Sequence, residues 1–173
     1  MIRRGQGYIA VARHRSYWDA PILAAAMGWP NRLHFVARKG LLRKLPVLRP
    51  FVRLFSTTID RDAFRLADYR RLRAAVKRER LIGIFPEGTT RHRVEPKAGA
   101  VHFARISGKP LLPVNIQTSG PYPPRYPVRF PRVTVTIGEP ITVEELAAAV
   151  DKVPTLRREQ ELSALLMQRV DAV

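Results

Sequence analysis

Short apolar runs recur along this chain, and the segments between them carry apolar residues at helical spacing. That alternation restricts the fold more than any other feature of the sequence. The runs are YIAVA (Tyr8–Ala12), LHFVA (Leu33–Ala37), LIGIF (Leu81–Phe85), LLPVNI (Leu111–Ile116) and VTVTI (Val133–Ile137), all of strand length and rich in β-branched residues. A helix is predicted over Ala63–Arg78, where Leu66, Tyr69, Leu72 and Val76 make one apolar stripe and Arg70, Arg73 and Lys77 point elsewhere. A second is predicted over Ala98–Ser107, stopped by Gly108. The stretch Val143–Val173 reads as one or two more, with Leu162, Leu165, Leu166 and Val170 on one side. Strand and helix in turn predict an α/β fold with a largely parallel, buried central sheet flanked by helices. At 173 residues the chain is long enough for one such domain, spanning 1–173, with a real core.

The segment TSGPYPPRYPVRFPR (Thr118–Arg132) breaks the alternation: its five prolines in 15 residues predict an irregular surface loop, with Tyr122, Tyr126 and Phe130 set among arginines.

The formal charge is +17, yet 46% of residues are hydrophobic, so the charge sits on a folded surface rather than marking disorder. Of the 31 basic residues 25 are Arg, whose planar fork matches phosphate and carboxylate. Such a surface suits nucleic acid, an acidic membrane face or a phosphorylated small molecule, and charge alone does not choose among them. With no Cys, disulfides, thiolate catalysis and zinc–thiolate sites are excluded. No run of about 18 apolar residues is present, so neither a signal peptide nor a spanning helix is expected.

Candidate chemistry begins at ARHRSYWDAP (Ala12–Pro21), where His14 and Asp19 stand five positions apart. On one continuous helix they would be separated by about 140°. They meet only if His14 precedes the helix, and Ser16 as N-cap, with Tyr17, Trp18 and Asp19 as first turn, gives that arrangement. His14 then hangs on the loop leaving the first strand, oriented by a carboxylate and able to take a proton from a hydroxyl. A purely structural reading competes with it, since Ser16 with Asp19 three residues on also fits a capping box.

Two further strand ends carry unusual groups. IFPEGTTR (Ile84–Arg91) turns abruptly at Pro86 and Gly88 and offers Glu87 and Arg91 where ligands gather in parallel sheets. FVARKG (Phe35–Gly40) empties into Arg38 and Lys39; Arg61 in TIDRD is similarly placed, and Lys97 in PKAGA opens a helix. Cations at strand ends suit phosphate.

These blocks and their order resemble the glycerolipid acyltransferase family, which includes the lysophosphatidic acid acyltransferases. ARHRSYWDAP is similar to its His-x4-Asp block, FVARKGLL with TIDRD to its second block, FPEGTTR to its Phe-Pro-Glu-Gly-Thr-Arg block, and LLPVNI to its Pro-containing final strand. The likeness covers Tyr8–Ile141 and departs from the family at Arg13, where Asn is usual, and at Thr90, which delays the following cation to Arg91. It implies a glycerol-3-phosphate acyltransferase-like fold. It also implies His14 as general base, Asp19 as its partner, and Glu87, Gly88 and Thr89 as shaping the site. Arg38, Lys39, Arg61, Arg91 and Lys97 would hold an acceptor phosphate, and Pro113 would form part of the acyl site. Backbone amides of the Gly88 turn are the expected oxyanion donors.

The implied reaction moves a fatty acyl group from an acyl thioester, acyl-CoA or acyl carrier protein, to a lysophospholipid. The acceptor is expected to be 1-acyl-sn-glycerol 3-phosphate, giving phosphatidic acid, with no cofactor and no metal. The competing reading is a non-catalytic basic module for anionic lipid or nucleic acid; His14, Asp19 and Glu87 argue against it, and no nucleic-acid partner is expected. With amphiphilic substrates the chain is expected in the cytoplasm, peripheral at the inner, anionic face of the membrane. Gly40–Phe55 is the expected contact, although at least half of its apolar residues should be core.

Overall fold

In the computed structural model the alternation resolves into a six-stranded sheet with helices on both faces. Residues 5–28, 30–40, 49–60, 63, 65–89, 94–123, 131–150 and 155–173 are described. Chain order is β1 (Tyr8–Val11), α1 (Asp19–Met27), β2 (Leu33–Arg38), α2 (Arg49–Phe55), β3 (Ser56–Ile59), α3 (Leu66–Arg78) and β4 (Leu81–Ile84). There follow α4 (Gly99–Ser107), β5 (Leu111–Ser119), β6 (Arg132–Ile137), α5 (Val143–Ala148) and α6 (Thr155–Ala172). The strands lie in the order β3-β2-β4-β1-β5-β6. All pairings are parallel except β5 with β6.

All five expected runs are strands. The sequence reading missed β3, because STTI has one large apolar residue and only Ile59 is buried; at the sheet edge no apolar run is needed. β5 continues to Ser119, where it still pairs with Arg132, so the irregular segment starts two residues later than predicted from the prolines. Residues 124–130 of that segment lie outside the described residues. The helix predicted from Ala63 begins at Leu66, and Leu66 is 63% exposed instead of joining the stripe. The inward place in that turn is taken by Asp68, whose carboxylate accepts the Arg65 backbone N–H and pairs with Arg71. Gly108 ends α4 in the left-handed conformation, φ 67°.

β1 is buried along its whole length and feeds both faces of the sheet with alternate residues. Ile9 and Val11 join Leu72 and Val76 of α3, Val101 and Phe103 of α4, Leu146 of α5 and Leu162, Leu166 and Val170 of α6. Tyr8, Ala10 and Ala12 join Leu23 and Met27 of α1 with Phe35 and Leu112. One face thus carries most of the helices and the other mainly α1.

Register aligns the strand ends. Ala10 of β1 is level with Gly83 of β4 and Leu112 of β5, and Gly83 is level with Phe35 of β2. Four residues beyond that level, three separate strands deliver His14, Glu87 and Lys39.

At this level the small residues are required. A Cβ on Gly83 would stand 2.6 Å from Phe35 Cε1. The Phe35 ring stacks parallel to Phe85 at 6.1 Å, and Phe85 stacks on His14 at 4.5 Å, so the ring has little room to retreat. Gly83→Ala is therefore expected to destabilise the fold by about 1–3 kcal/mol, the usual cost of overpacking a filled core. Urea unfolding measures it, and an unshifted midpoint would show that the Phe35 ring can move aside freely.

Candidate active site

The loop from β1 to α1 is built around the carboxylate of Asp19, which is 1% exposed. One of its oxygens, Oδ2, accepts the backbone N–H of Arg15 at 2.6 Å and of Ser16 at 2.7 Å, and lies 3.1 Å from His14 Nδ1. The other, Oδ1, accepts the Tyr122 hydroxyl, which arrives from beyond β5. Ser16 Oγ accepts the Trp18 N–H at 3.2 Å, and the regular helix starts only at Asp19, two residues after the predicted first turn opens. The residue that precedes the helix is Trp18, without a side-chain cap bond, so Ser16 is not the N-cap expected from the sequence; Asp19 instead binds the Ser16 amide with the same oxygen that faces His14. A turn at Ser16 bends the chain so that His14, outside the helix, comes back onto the residue that starts it.

Burial pushes the Asp19 carboxyl up, but hydrogen bonds from His14, Tyr122 and the Ser16 amide outweigh it and hold the group below the ordinary carboxylate range. Burial, with the bond to Asp19, drives the Tyr122 phenol well above its usual value, so it remains a donor. With Nδ1 facing Asp19, Nε2 is the nitrogen left for chemistry on a side chain 17% exposed, stacked on Phe85.

Glu87, 7% exposed, fastens the same loop from β4. Its Oε2 accepts the His14 backbone N–H at 3.0 Å, and its Oε1 accepts Arg13 Nη1 at 2.6 Å. Arg13 in turn grips Asp171 of α6 with Nε, at 2.5 Å, and Nη2. The hydrogen bonds to Asp171, with those to Glu87, hold the guanidinium charged more firmly than usual against the opposing effect of its burial. Gly88, at φ 64°, closes a turn by donating its N–H to the Phe85 carbonyl at 3.0 Å. That amide is spent, so the oxyanion donor expected in this turn is not Gly88's own.

The structure therefore gathers His14, Asp19 and Glu87 with the turn of Gly88 and Thr89. Of the expected cations, three are described. Arg38 and Lys39 are exposed at the end of β2, where Lys39 N–H bonds the Ile59 carbonyl and its charge acts on Asp68. Lys97 is exposed; its N–H bonds the Pro86 carbonyl at 3.0 Å and its own carbonyl accepts Ser163 Oγ at 2.9 Å, which ties the loop after β4 to α6. Arg61 and Arg91 lie outside the described residues. Pro113 is buried in β5 and accepts Gly138 N–H through its carbonyl at 2.9 Å. Val173 packs across Gly138, 2.6 Å from where a Cβ would stand. Of Gly40–Phe55, residues 41–48 lie outside the described part; beyond them Val52 is buried and Leu54 is 61% exposed. Among the described residues no helix is long and apolar enough to cross a membrane, and no cluster of three His, Asp or Glu is placed to hold a metal ion.

Sequence reasoning gave Arg13 only as a departure from a pattern, Tyr122 only as an aromatic in a Pro-rich loop, and Asp171 not at all. Asp171 carries no local signal: its partner is 158 residues away.

An Acyltransferase family model matches residues 1–117. The chain is 25% identical over 165 residues to the 1-acyl-sn-glycerol-3-phosphate acyltransferase of Bacillus subtilis, covering 95% of this chain and 79% of that protein. It is 27% identical over 149 residues to the Streptococcus pneumoniae protein of the same name, covering 85% of this chain, and 30% identical over 156 residues to an uncharacterized acyltransferase of Schizosaccharomyces pombe, covering 83%. It spans about half the length of these last two, 54% of each. The match over most of the chain, on a fold that brings the His-x4-Asp and Pro-Glu-Gly blocks into one site, places the chain in the acyltransferase family, as an acyl-transferring enzyme of the glycerolipid type.

Proposed function

We propose that the chain transfers a fatty acyl group from an acyl thioester, acyl-CoA or acyl carrier protein, to the free hydroxyl of 1-acyl-sn-glycerol 3-phosphate, forming phosphatidic acid. The reading rests on the 3.1 Å pairing of His14 Nδ1 with buried Asp19, which leaves Nε2 as a base with a fixed direction. The names of two relatives support the acceptor. His14 Nε2 takes the proton of the acceptor hydroxyl as its oxygen attacks the thioester carbonyl. The tetrahedral oxyanion collapses, the C–S bond breaks, and the imidazolium returns the proton to the departing thiolate. Asp19 supports the imidazolium formed midway, and Glu87 holds the backbone of the base. The acceptor phosphate falls to the cations at the strand ends, Arg38 and Lys39 with Arg61, Arg91 and Lys97. Working on amphiphiles, the enzyme reaches them peripherally at the inner face of the membrane through its positive surface.

Release of free thiol from acyl-CoA in the presence of a panel of lysolipids tests the reaction directly. His14→Ala is expected to lower kcat by about 10²–10⁴-fold, the usual worth of a positioned base. Near-normal turnover would remove His14 from the mechanism. Asp19→Asn should lose both activity and stability, about 1–3 kcal/mol of the latter, because an amide in place of the carboxylate leaves buried donors unpaired. Because the Asp19 carboxyl is held below its unfolded value of about 3.9, its stabilisation is complete above that pH and disappears as pH falls through the lower folded value. The Asn variant should lack that part of the acid dependence in melting curves.

Lys39→Ala and Lys97→Ala probe the phosphate. Loss of a charge-assisted contact should raise the acceptor KM about 10-fold or more while sparing the donor KM. Equal effects on both substrates would point to an acceptor without phosphate. On the membrane side, the protein should sediment with anionic vesicles, less so in high salt, and hardly with neutral ones; roughly 1 kcal/mol accrues per Lys or Arg near the surface. Complete recovery in the supernatant at low salt would refute attachment by this chain alone.

A further inference from the structure

Asp171 lies two residues from the end of the sequence and outside the 1–117 stretch matched by the family, yet it connects to the catalytic loop by an unbroken chain of contacts. Its two oxygens bind Arg13 Nε and Nη2, the fork geometry that fixes both the distance and the plane of a guanidinium. Fixed in that plane, Arg13 directs Nη1 to Glu87 Oε1 at 2.6 Å, and the opposite oxygen of Glu87 accepts the His14 N–H at 3.0 Å. α6 supplies a rigid mounting: Leu166, Met167 and Val170, within five residues of Asp171, are 0–3% exposed in the core beneath β1.

We propose that Asp171 is a positioning residue for the reaction, setting the backbone of His14 through Arg13 and Glu87, so that the C-terminal helix forms part of the active-site scaffold. The inference rests on His14 being the base, and its test has a readout that does not depend on turnover. Freed of Asp171, the long Arg13 side chain regains its rotamers, and Glu87 loses the fixed partner that aims Oε2 at His14. The helix itself remains, since Asp171 is exposed on its outer side while the core contacts lie elsewhere.

The experiment compares Asp171→Ala, Asp171→Asn and Arg13→Ala, alone and as the Arg13→Ala/Asp171→Ala pair, by amide NMR and by thiol release. In Asp171→Ala the His14 amide proton is expected to move upfield as its bond to Glu87 loosens, while the Leu162 and Leu166 amides stay in place. kcat should drop about five-fold with the donor KM unchanged, and Asp171→Asn, which keeps one acceptor oxygen, should lie between. In the Arg13→Ala background, Asp171→Ala should add nothing further. A His14 amide that stays put in Asp171→Ala overturns the proposal, as does an equal loss of kcat with and without Arg13. A wild-type chain that releases no thiol with any acceptor would sink the proposed reaction and leave the NMR result standing on its own.

Discussion

A charge buried as deeply as that of Asp19 must be compensated, and its compensation organises the site. An isolated carboxylate taken out of water costs several kcal/mol, so the group can stay ionised only where donors surround it. Asp19 has four: the amides of Arg15 and Ser16, His14 Nδ1 and the Tyr122 hydroxyl. Each comes from a segment that must take a definite path to reach it. The amides require the chain to turn before α1, the imidazole requires His14 to fold back, and the phenol requires the chain beyond β5 to cross toward α1. The orientation of His14 is thus a by-product of satisfying one buried charge.

The sheet register supplies the second constraint. Because Ala10, Gly83 and Phe35 are level, equal lengths of chain beyond them reach the same height, and His14 and Glu87 meet without any long loop having to find its place. Parallel pairing makes this possible, since all three strands leave the sheet at one edge. The missing side chain of Gly83 admits the Phe35 ring, on which Phe85 and then His14 stack, so packing in the core reaches His14 within three rings.

Much of this was legible locally. Apolar runs such as YIAVA and LIGIF identify the central strands because both faces of a parallel sheet are covered, and Gly108 identifies a helix end because its left-handed conformation suits glycine. The pairing of His14 with Asp19 was legible from spacing once Ser16 suggested where the chain turns. What escaped was non-local. STTI does not read as a strand, since an edge strand with one buried residue lacks the hydrophobic signal. Leu66 has the right spacing for a stripe, yet a capping carboxylate occupies the inward place. Arg13 with Asp171 and Tyr122 with Asp19 join residues 158 and 103 positions apart, and no periodicity or motif encodes such a meeting.

The charge distribution divides charged residues of the same types between the loop and the surface. The chain has 31 basic residues and only 14 acidic ones, and three of the latter, Asp19, Glu87 and Asp171, are spent on the geometry of one loop. Their partners are backbone amides, a histidine, a phenol and a single arginine, most of them shielded from solvent. Arg38, Lys39 and Lys97 are exposed. Exposed charges are screened over about 10 Å at 0.1 M salt, whereas buried hydrogen-bonded ones are screened far less. The bonds of buried Asp19 and Glu87 can therefore hold His14 in place over a wide range of ionic strength, while the exposed cations and the half-exposed Arg13–Asp171 pair feel added salt. An arginine committed to Glu87 and Asp171, as Arg13 is, has little left to offer any other anion.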